Sequence, residues 1–329
     1  MGKRVTILDV AAEAGVSRQT VSRAMNDTDD INGATRRRVL DAAERLGYRP
    51  SRFARSFVTR EKTHAVGLVV ASFRNPYYTD IAGELLEAAN ARNWQLMMAA
   101  MEGPTAESMA LLSNQVDVLV GHFVQSDEEL LAVARGLPLI RLEGRGRLPG
   151  VHSVEVDIRS GVVEAVRALR ERGARRFGMV DSLHTMRDGG DYGPTGRRLW
   201  FEEEVGDQLT GVVAEEETIT GGGRGFGELM ERHPETDAVL MFNDLMALGA
   251  VHSAHVLGVD VPGEVRIVGI DGLALGEAVD PPLTSVALDR QGLAANVLDI
   301  VETLVGAEFA RLDPICRVVP SKMLWRKSA

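Results

Sequence analysis

A chain of 329 residues, 45% of them hydrophobic, is long enough for two or three domains with sizeable cores; its one cysteine, Cys316, excludes a disulfide framework and suits a reducing cytoplasm. No apolar run approaches ~18 residues, which excludes a transmembrane helix, and the N-terminal stretch MGKRVTILDV has no apolar signal core, so export is not expected. The net charge of −10 is unevenly spread: residues 1–60 hold 12 Lys/Arg against 7 Asp/Glu, a balance of +5 that leaves −15 on the remainder. A basic head on an acidic body points to a polyanion as the partner of the head alone.

In chain order, Thr6 is placed to cap a first helix over ILDVAAEA, with Asp9 three residues on in the capping-box position. Val10, Ala11 and Ala14 share one face of it, and Gly15 ends it. Ser17 is placed to cap a second helix that runs to about Asn26. On its wheel Val21 and Met25 turn inward, while Arg18, Gln19, Ser22, Arg23 and Asn26 share the outer arc. Two short helices joined by a glycine-containing turn describe either a helix-turn-helix or an ordinary amphipathic hairpin. The composition of the outer arc favours the first. Arg can grip guanine O6/N7 with two hydrogen bonds, Gln can do the same to adenine N6/N7, and Ser17, Ser22 and Asn26 are short donors for phosphate oxygens.

Thr35 is expected to cap a third helix, TRRRVLDAAERLGY, with Val39, Ala43 and Leu46 inward. Pro50 then breaks the chain. Arg52, Phe53, Arg55 and Phe57 form a basic, aromatic segment that by composition alone is a linker.

The stretches VTILDVAAEAGVSRQTVSRAMN and TRRRVLDAAERLGYRPSRFARSF resemble, almost position for position, the head of the LacI/GalR family of bacterial repressors. That resemblance implies a hinge helix after helix three. In the family two such helices, one per subunit, enter the minor groove and wedge a base step open, usually with leucine in ARSL. Here the matching residue is Phe57 in ARSF, and Phe is also a wedge residue. The resemblance implies a DNA-binding set of Thr6, Ser17, Arg18, Gln19, Thr20, Ser22, Arg23, Asn26, Thr35, Tyr48, Arg52 and Phe57.

From His64 the pattern changes. HAVGLVVAS, WQLMMAA, VDVLVGH and LPLIRLE read as strands, with a helix around TDIAGELLEAANARN after the first. The series restarts with VRALRERGARRFGMVD, TDAVLMFND, MALGAVHSAHVLG and EVRIVGID. Alternating strands and helices predict an α/β body with parallel sheets covered on both faces, and two runs predict two lobes. The body also resembles that of the LacI/GalR family, a periplasmic-binding-protein-like pair of lobes, through GLVVASFRNPYYTDI, MFNDLMALGAVHSAHVLGVDVPGEVRIVGIDG and DPPLTSVALD. The expected organisation is an all-α helix-turn-helix head (residues 1–49), a hinge (50–62) and a body (63–329) of two doubly wound lobes. The N-lobe would take about 63–160 and 289–319, and the C-lobe about 161–288 and 320–329.

Ligands of open α/β sheets bind at the carboxyl ends of strands. Phe73 and Arg74 follow the first strand, Glu143 follows LPLIRL, Asn243 ends AVLMFN, Asp271 ends RIVGI, and Arg290 opens the last helix. Arg197, in TGRRLWF, falls at the family's pocket arginine; the resemblance supports Arg197, Asn243 and Asp271 most directly. Carboxylates, an amide and guanidinium groups suit a polyhydroxylated ligand, and Arg290 and Arg74 would allow an acidic sugar. The alternative for each is a surface ion pair.

GGGRGFG, at 221–227, fits no register of G-x-G-x-x-G and precedes no Gly-Lys-Ser/Thr, so no nucleotide loop is expected. His252 and His255 lack a third ligand nearby, so neither metal nor cofactor is expected. No nucleophile elbow or paired acid–base motif supports an enzyme. The expectation is a cytoplasmic homodimeric repressor that binds a near-palindromic operator on the nucleoid, answers to a small carbohydrate effector and does not engage a membrane. By resemblance the subunits meet through helices near 79–91 and 244–257; the end SKMLWRKSA carries no leucine heptad, which favours a dimer over a tetramer. A periplasmic solute-binding protein shares the body fold but not the basic head.

Overall fold

The computed structural model describes residues 5–25, 31–46, 48, 63–100, 109–110, 112–123, 125–134, 136–183, 193–305 and 312–329. In the head, α1 (Ile7–Ala14), α2 (Arg18–Met25) and α3 (Gly33–Arg45) close around Val10, Val21, Val39 and Ala42, all fully buried. The Thr6 backbone N–H donates to Asp9 Oδ2 at 2.7 Å, and Gly15 turns the chain at φ 62°. Ser17 Oγ accepts from the Thr20 N–H at 3.1 Å and so caps α2.

Helix α3 departs from the sequence expectation. It starts two residues before Thr35, and its cap is Asn32, whose Oδ1 accepts from the Ala34 N–H at 2.9 Å. Asn competes with Thr as a cap, and here it sits at the earlier of the two positions. Asn26, Arg52 and Phe57 lie outside the described residues.

The body holds the two sheets expected, parallel throughout except where β11 meets β10. Its first run is β1 (Ala65–Val70), α4 (Pro76–Ala91), β2 (Gln95–Ala100), β3 (Val118–Gly121), α5 (Asp127–Ala134), β4 (Leu139–Arg141) and β5 (Val151–Asp157). The second is α6 (Ile158–Glu171), β6 (Phe177–Ser182), α7 (Gly196–Val205), β7 (Leu209–Glu215), α8 (Ile219–Arg232), β8 (Ala238–Met241), α9 (Asp244–Leu257) and β9 (Arg266–Asp271). It is followed by β10 (Thr284–Leu288), α10 (Arg290–Val305) and β11 (Cys316–Leu324).

The strands lie in the order β2-β1-β3-β4-β5-β11-β10-β9-β8-β6-β7. Strand β11 belongs to both sheets: Cys316–Pro320 pairs parallel with β5, and Ser321–Leu324 pairs antiparallel with β10. It changes partner next to Pro320, which has no N–H to donate. Strands β1, β3 and β8 are buried along their whole length, as their unbroken apolar runs require.

Helix α4 begins at Pro76, three residues before the expected start. Asn75 Oδ1 accepts from the Tyr77 N–H at 3.0 Å, and a proline at the first helical position loses nothing there. The glycine run 221–227 is helical, inside α8. It lets α8 lie directly on α9: a Cβ on Gly222 would strike the Met246 carbonyl, and one on Gly249 would strike the Ile219 carbonyl.

Candidate functional site

Two places carry functional chemistry. On the head, Ser17, Arg18, Gln19 and Arg23 are exposed, while Thr20 and Ser22 are partly covered. The side chains of Thr6, Ser17 and Thr20 are engaged in local caps: Thr6 Oγ1 donates to Asp9, and the Ser17 and Thr20 hydroxyls pair at 2.9 Å. Thr35 is partly covered in the first turn of α3, and Tyr48 packs against the head's core. The Ser17 cap and the outward face therefore share one short helix, which carries Arg18 and Gln19 in its first turn.

In the body, the carboxyl ends of the strands bring together most of the residues expected there. Arg197, in the first turn of α7, is nearly buried; Nη1 donates to the Phe242 carbonyl, the guanidinium stacks on the Phe242 ring 4.3 Å from its centroid, and Nη2 is 4.0 Å from Glu143 Oε1. Asn243 caps α9, its Oδ1 accepting from the Met246 N–H at 2.9 Å. Asp271 ends β9 at φ 131°, is 1% exposed, and its buried Oδ2 has no hydrogen-bond partner among the described residues. Burial lifts the Asp271 carboxyl well above the usual carboxylate range; Arg197 opposes that rise and Asp244 adds to it.

The other expected residues stand apart. Phe73 is 46% exposed and Arg74 is exposed in the loop after β1. Arg290 points at backbone: Nη1 donates to the Asp271 carbonyl at 2.6 Å and Nη2 to the Gly272 carbonyl at 3.3 Å, with Asp80 3.8 Å away. It braces the Asp271 turn.

Sequence reasoning missed four cleft residues. Tyr77 and Tyr78 open α4, and His122 follows β3; their rings meet edge-on at 5.3 Å (Tyr77–Tyr78), 5.8 Å (Tyr77–His122) and 5.1 Å (Tyr78–His122). Among the described residues neither nitrogen of buried His122 has a partner, and burial lowers its pKa. Burial first and Glu143 second raise both tyrosines; Glu217 and Asp271 also act on Tyr78. Glu217, beyond β7, accepts from Ser182 Oγ at 2.7 Å. The strand-end rule would have found Tyr77 and His122 had it been followed one turn further. Glu217 was out of reach because β7 was not recognised as a strand.

The raised Asp271 carboxyl has a consequence for stability. In the unfolded chain it ionises near pH ~4; in the folded protein it holds its proton to higher pH. Stability from this group is thus complete below pH ~4 and lost as pH rises through the folded value, with a slope of at most about 1.4 kcal/mol per pH unit. Asp271→Asn is expected to flatten the fall in melting temperature with rising pH. Parallel pH profiles for variant and parent would show that Asp271 does not titrate as described.

Residues 6–51 match the family model described as bacterial regulatory proteins, lacI family, and residues 166–329 match the periplasmic binding protein-like domain. Catabolite control protein A of Staphylococcus xylosus is 32% identical over 298 residues, covering 86% of this chain and 87% of that protein. Among solved structures, a transcriptional regulator CelR–cellobiose complex is 28% identical with a TM-score of 0.70, covering 99% of this chain and all of that one. A LacI family transcriptional regulator from Arthrobacter sp. FB24 in complex with lactose is 25% identical with a TM-score of 0.71, covering 80% of this chain and 98% of that one. Head, two-lobed body and relatives agree: the chain belongs to the LacI family of bacterial transcriptional regulators.

Proposed function

We propose that this regulator is a cytoplasmic repressor whose grip on a near-palindromic operator is set by a sugar or sugar derivative bound between the two lobes. The observation that carries the effector half is the buried Asp271 Oδ2, without a hydrogen-bond partner among the described residues, near Asn243 and the nearly buried Arg197 on one sheet's side, with Glu143 of the other sheet 4.0 Å from Arg197. A buried polar atom without a partner is costly, and a ligand hydroxyl, which can both donate and accept, supplies one. Glu143 lies within reach of the same ligand; Phe73 and Arg74 sit at the rim; Arg290 acts by holding the Asp271 turn. The lactose and cellobiose bound by the two structural relatives support the sugar class.

The lobes divide at about residues 160, 289 and 320, where the chain passes from one sheet to the other. Two copies pair through α4 and α9; Val256 and Leu257 at the end of α9 are 69% and 55% exposed and supply apolar surface for that contact. In the dimer Arg18 and Gln19 read bases, Ser17, Ser22 and the other short polar residues hold phosphates, and Phe57 wedges the minor groove from the hinge. An effector that binds one lobe arrangement more tightly than the other shifts the hinge equilibrium by that difference and no more.

The test is selection of binding sites from random DNA with parent and Arg18→Ala protein. The parent should enrich a near-palindrome, with affinity falling steeply as salt rises. Arg18→Ala should cost ~1–3 kcal/mol and relax one position in each half-site. A solute-binding protein would enrich nothing and show no salt slope, and an unrelaxed consensus in Arg18→Ala would remove Arg18 from base reading.

A further inference from the structure

We infer that Arg290 is a clasp between the lobes with two alternative partners: in this arrangement it grips the carbonyls of Asp271 and Gly272 across the lobe boundary, and when the lobes part it passes to Asp80 on its own side. This rests on the proposed lobe division and on the lobes taking two arrangements, whichever ligand tips them.

The first observation is how each end of the clasp is anchored. Arg290 opens α10, which packs on α4 and β5. Arg92, just past α4, ties that helix pair together, donating to Asp299 Oδ1 at 2.7 Å and to Glu302 Oε2 at 3.1 Å. Asp80, on α4, and Arg290 are therefore carried by one unit of the N-lobe. The turn after β9 belongs to the other lobe. There the Leu273 N–H donates to Asp244 Oδ2 and the Gly272 N–H to Ser285 Oγ, so α9 and β10 hold it. The bonds from Arg290 Nη1 to the Asp271 carbonyl, 2.6 Å, and from Nη2 to the Gly272 carbonyl, 3.3 Å, join two braced pieces. A rotation of one lobe against the other must break them.

The second observation is the waiting acceptor. A guanidinium carries five donors and keeps its charge, so it needs an acceptor in either arrangement. Asp80 Oδ2 stands 3.8 Å from Arg290 Nη2, within ion-pair range but beyond a hydrogen bond. Asp80 is 40% exposed against 19% for Arg290, and it makes no other ion pair among the described residues. With the carbonyls withdrawn, a side-chain rotation carries the guanidinium onto Asp80. Hydrogen bonds from a charged donor outweigh a part-exposed ion pair. The clasped arrangement is thus favoured without ligand, by a margin that differential binding can overcome.

The third is the position of the grip. Asp271, at φ 131°, and Gly272, at φ 73°, turn two successive carbonyls to one guanidinium. The carboxyl of that same Asp271 is the group assigned to the effector. The other pair that spans the boundary, Arg197 Nη2 and Glu143 Oε1, is 4.0 Å apart, too far for a hydrogen bond.

The experiment measures the lobe separation of the ligand-free full chain by pulsed electron resonance. Spin labels are placed through Glu128→Cys and Thr220→Cys, exposed positions in the first turns of α5 and α8, with Cys316→Ser as background. Labelled subunits are diluted into unlabelled protein so that only distances within one subunit are read. Arg290→Gln should raise the ratio of long to short separations about tenfold or more, the loss of one hydrogen bond from a charged donor. Asp80→Asn should lower that ratio, and the double variant should match Arg290→Gln, because Asp80 acts only through Arg290. Thermal unfolding checks that each variant is folded; Asp80→Asn, at a part-exposed position, decides the question by itself if Arg290→Gln does not fold. Unchanged separations in either variant, or a shift of both in the same direction, overturn the clasp. No ligand enters these measurements, so their failure leaves the sugar-effector reading in place, and a failure of sugars to bind leaves the clasp standing.

Discussion

Replacing Gly249 with valine is expected to destabilise the protein by about 3 kcal/mol or more, a larger loss than most single substitutions cause. The reason lies in backbone. A Cβ at Gly249 would overlap the Ile219 carbonyl oxygen and the Gly223 nitrogen, and one at Gly222 would overlap Met246. Flexible side chains can swing aside, but these are main-chain atoms of a facing helix. The only relief is to separate α8 from α9, which opens the cluster of Phe226, Leu229, Met246 and Ala250, all fully buried. At roughly 2–4 °C per kcal/mol for a body of this size, the melting temperature should fall by about 6–12 °C. Gly227 supplies the control from the same run. A Cβ there would meet only Ser253 Oγ, at an ordinary 3.8 Å, so Gly227→Ala should be neutral or stabilising by up to ~1 kcal/mol through helix propensity. A Gly249→Val protein that melts with the parent would mean the helices do not pack as described.

Asp244→Ala should cost about 2–4 kcal/mol and weaken effector binding as well. Asp244 is fully buried at the start of α9, where Oδ2 accepts from the Leu273 N–H at 2.7 Å and Oδ1 from Ser285 Oγ at 2.6 Å. Ser285 Oγ in turn accepts from the Gly272 N–H at 3.0 Å. Removing the carboxylate orphans two buried donors, each worth about 1–3 kcal/mol, and takes away one of the charges that raise the Asp271 carboxyl. The same bonds hold the turn in which Asp271 sits at φ 131° and Gly272 at φ 73°. A non-glycine residue stays in that region only when its surroundings require it. Once released, Asp271 has no reason to keep its carboxyl in the cleft. Denaturant unfolding with parent, Asp244→Asn and Asp244→Ala should give a graded series, since Asn keeps one acceptor. Equal midpoints for Asp244→Ala and parent would show that the network does not hold the turn.

The local code was legible in the sequence. Asp9 three residues after Thr6, Gly15 in the left-handed turn and the inward row Val10, Val21, Val39 each depend on neighbours within a few residues, so periodicity and capping chemistry suffice to place them. The strands that end at Asp271 and just before Asn243 were equally plain, because a buried parallel strand must be an unbroken apolar run. With them came Arg197, Asn243 and Asp271, carried by resemblance and by the rule that ligands gather at strand ends. What depended on contacts distant in sequence was not legible. Gly249 matters because Ile219 lies on it, and no spacing announces that. Arg290, expected either to meet an acidic sugar or to form a surface ion pair, instead grips the carbonyls at 271 and 272, which are 19 and 18 residues away. His122 became a cleft residue only when the sheet order set β3 beside β1 and thus against Tyr77 and Tyr78. Side-chain type limits what a residue can do; which donors and acceptors it has left is decided by the elements packed around it, and that depends on pairings between strands and helices far apart in the chain.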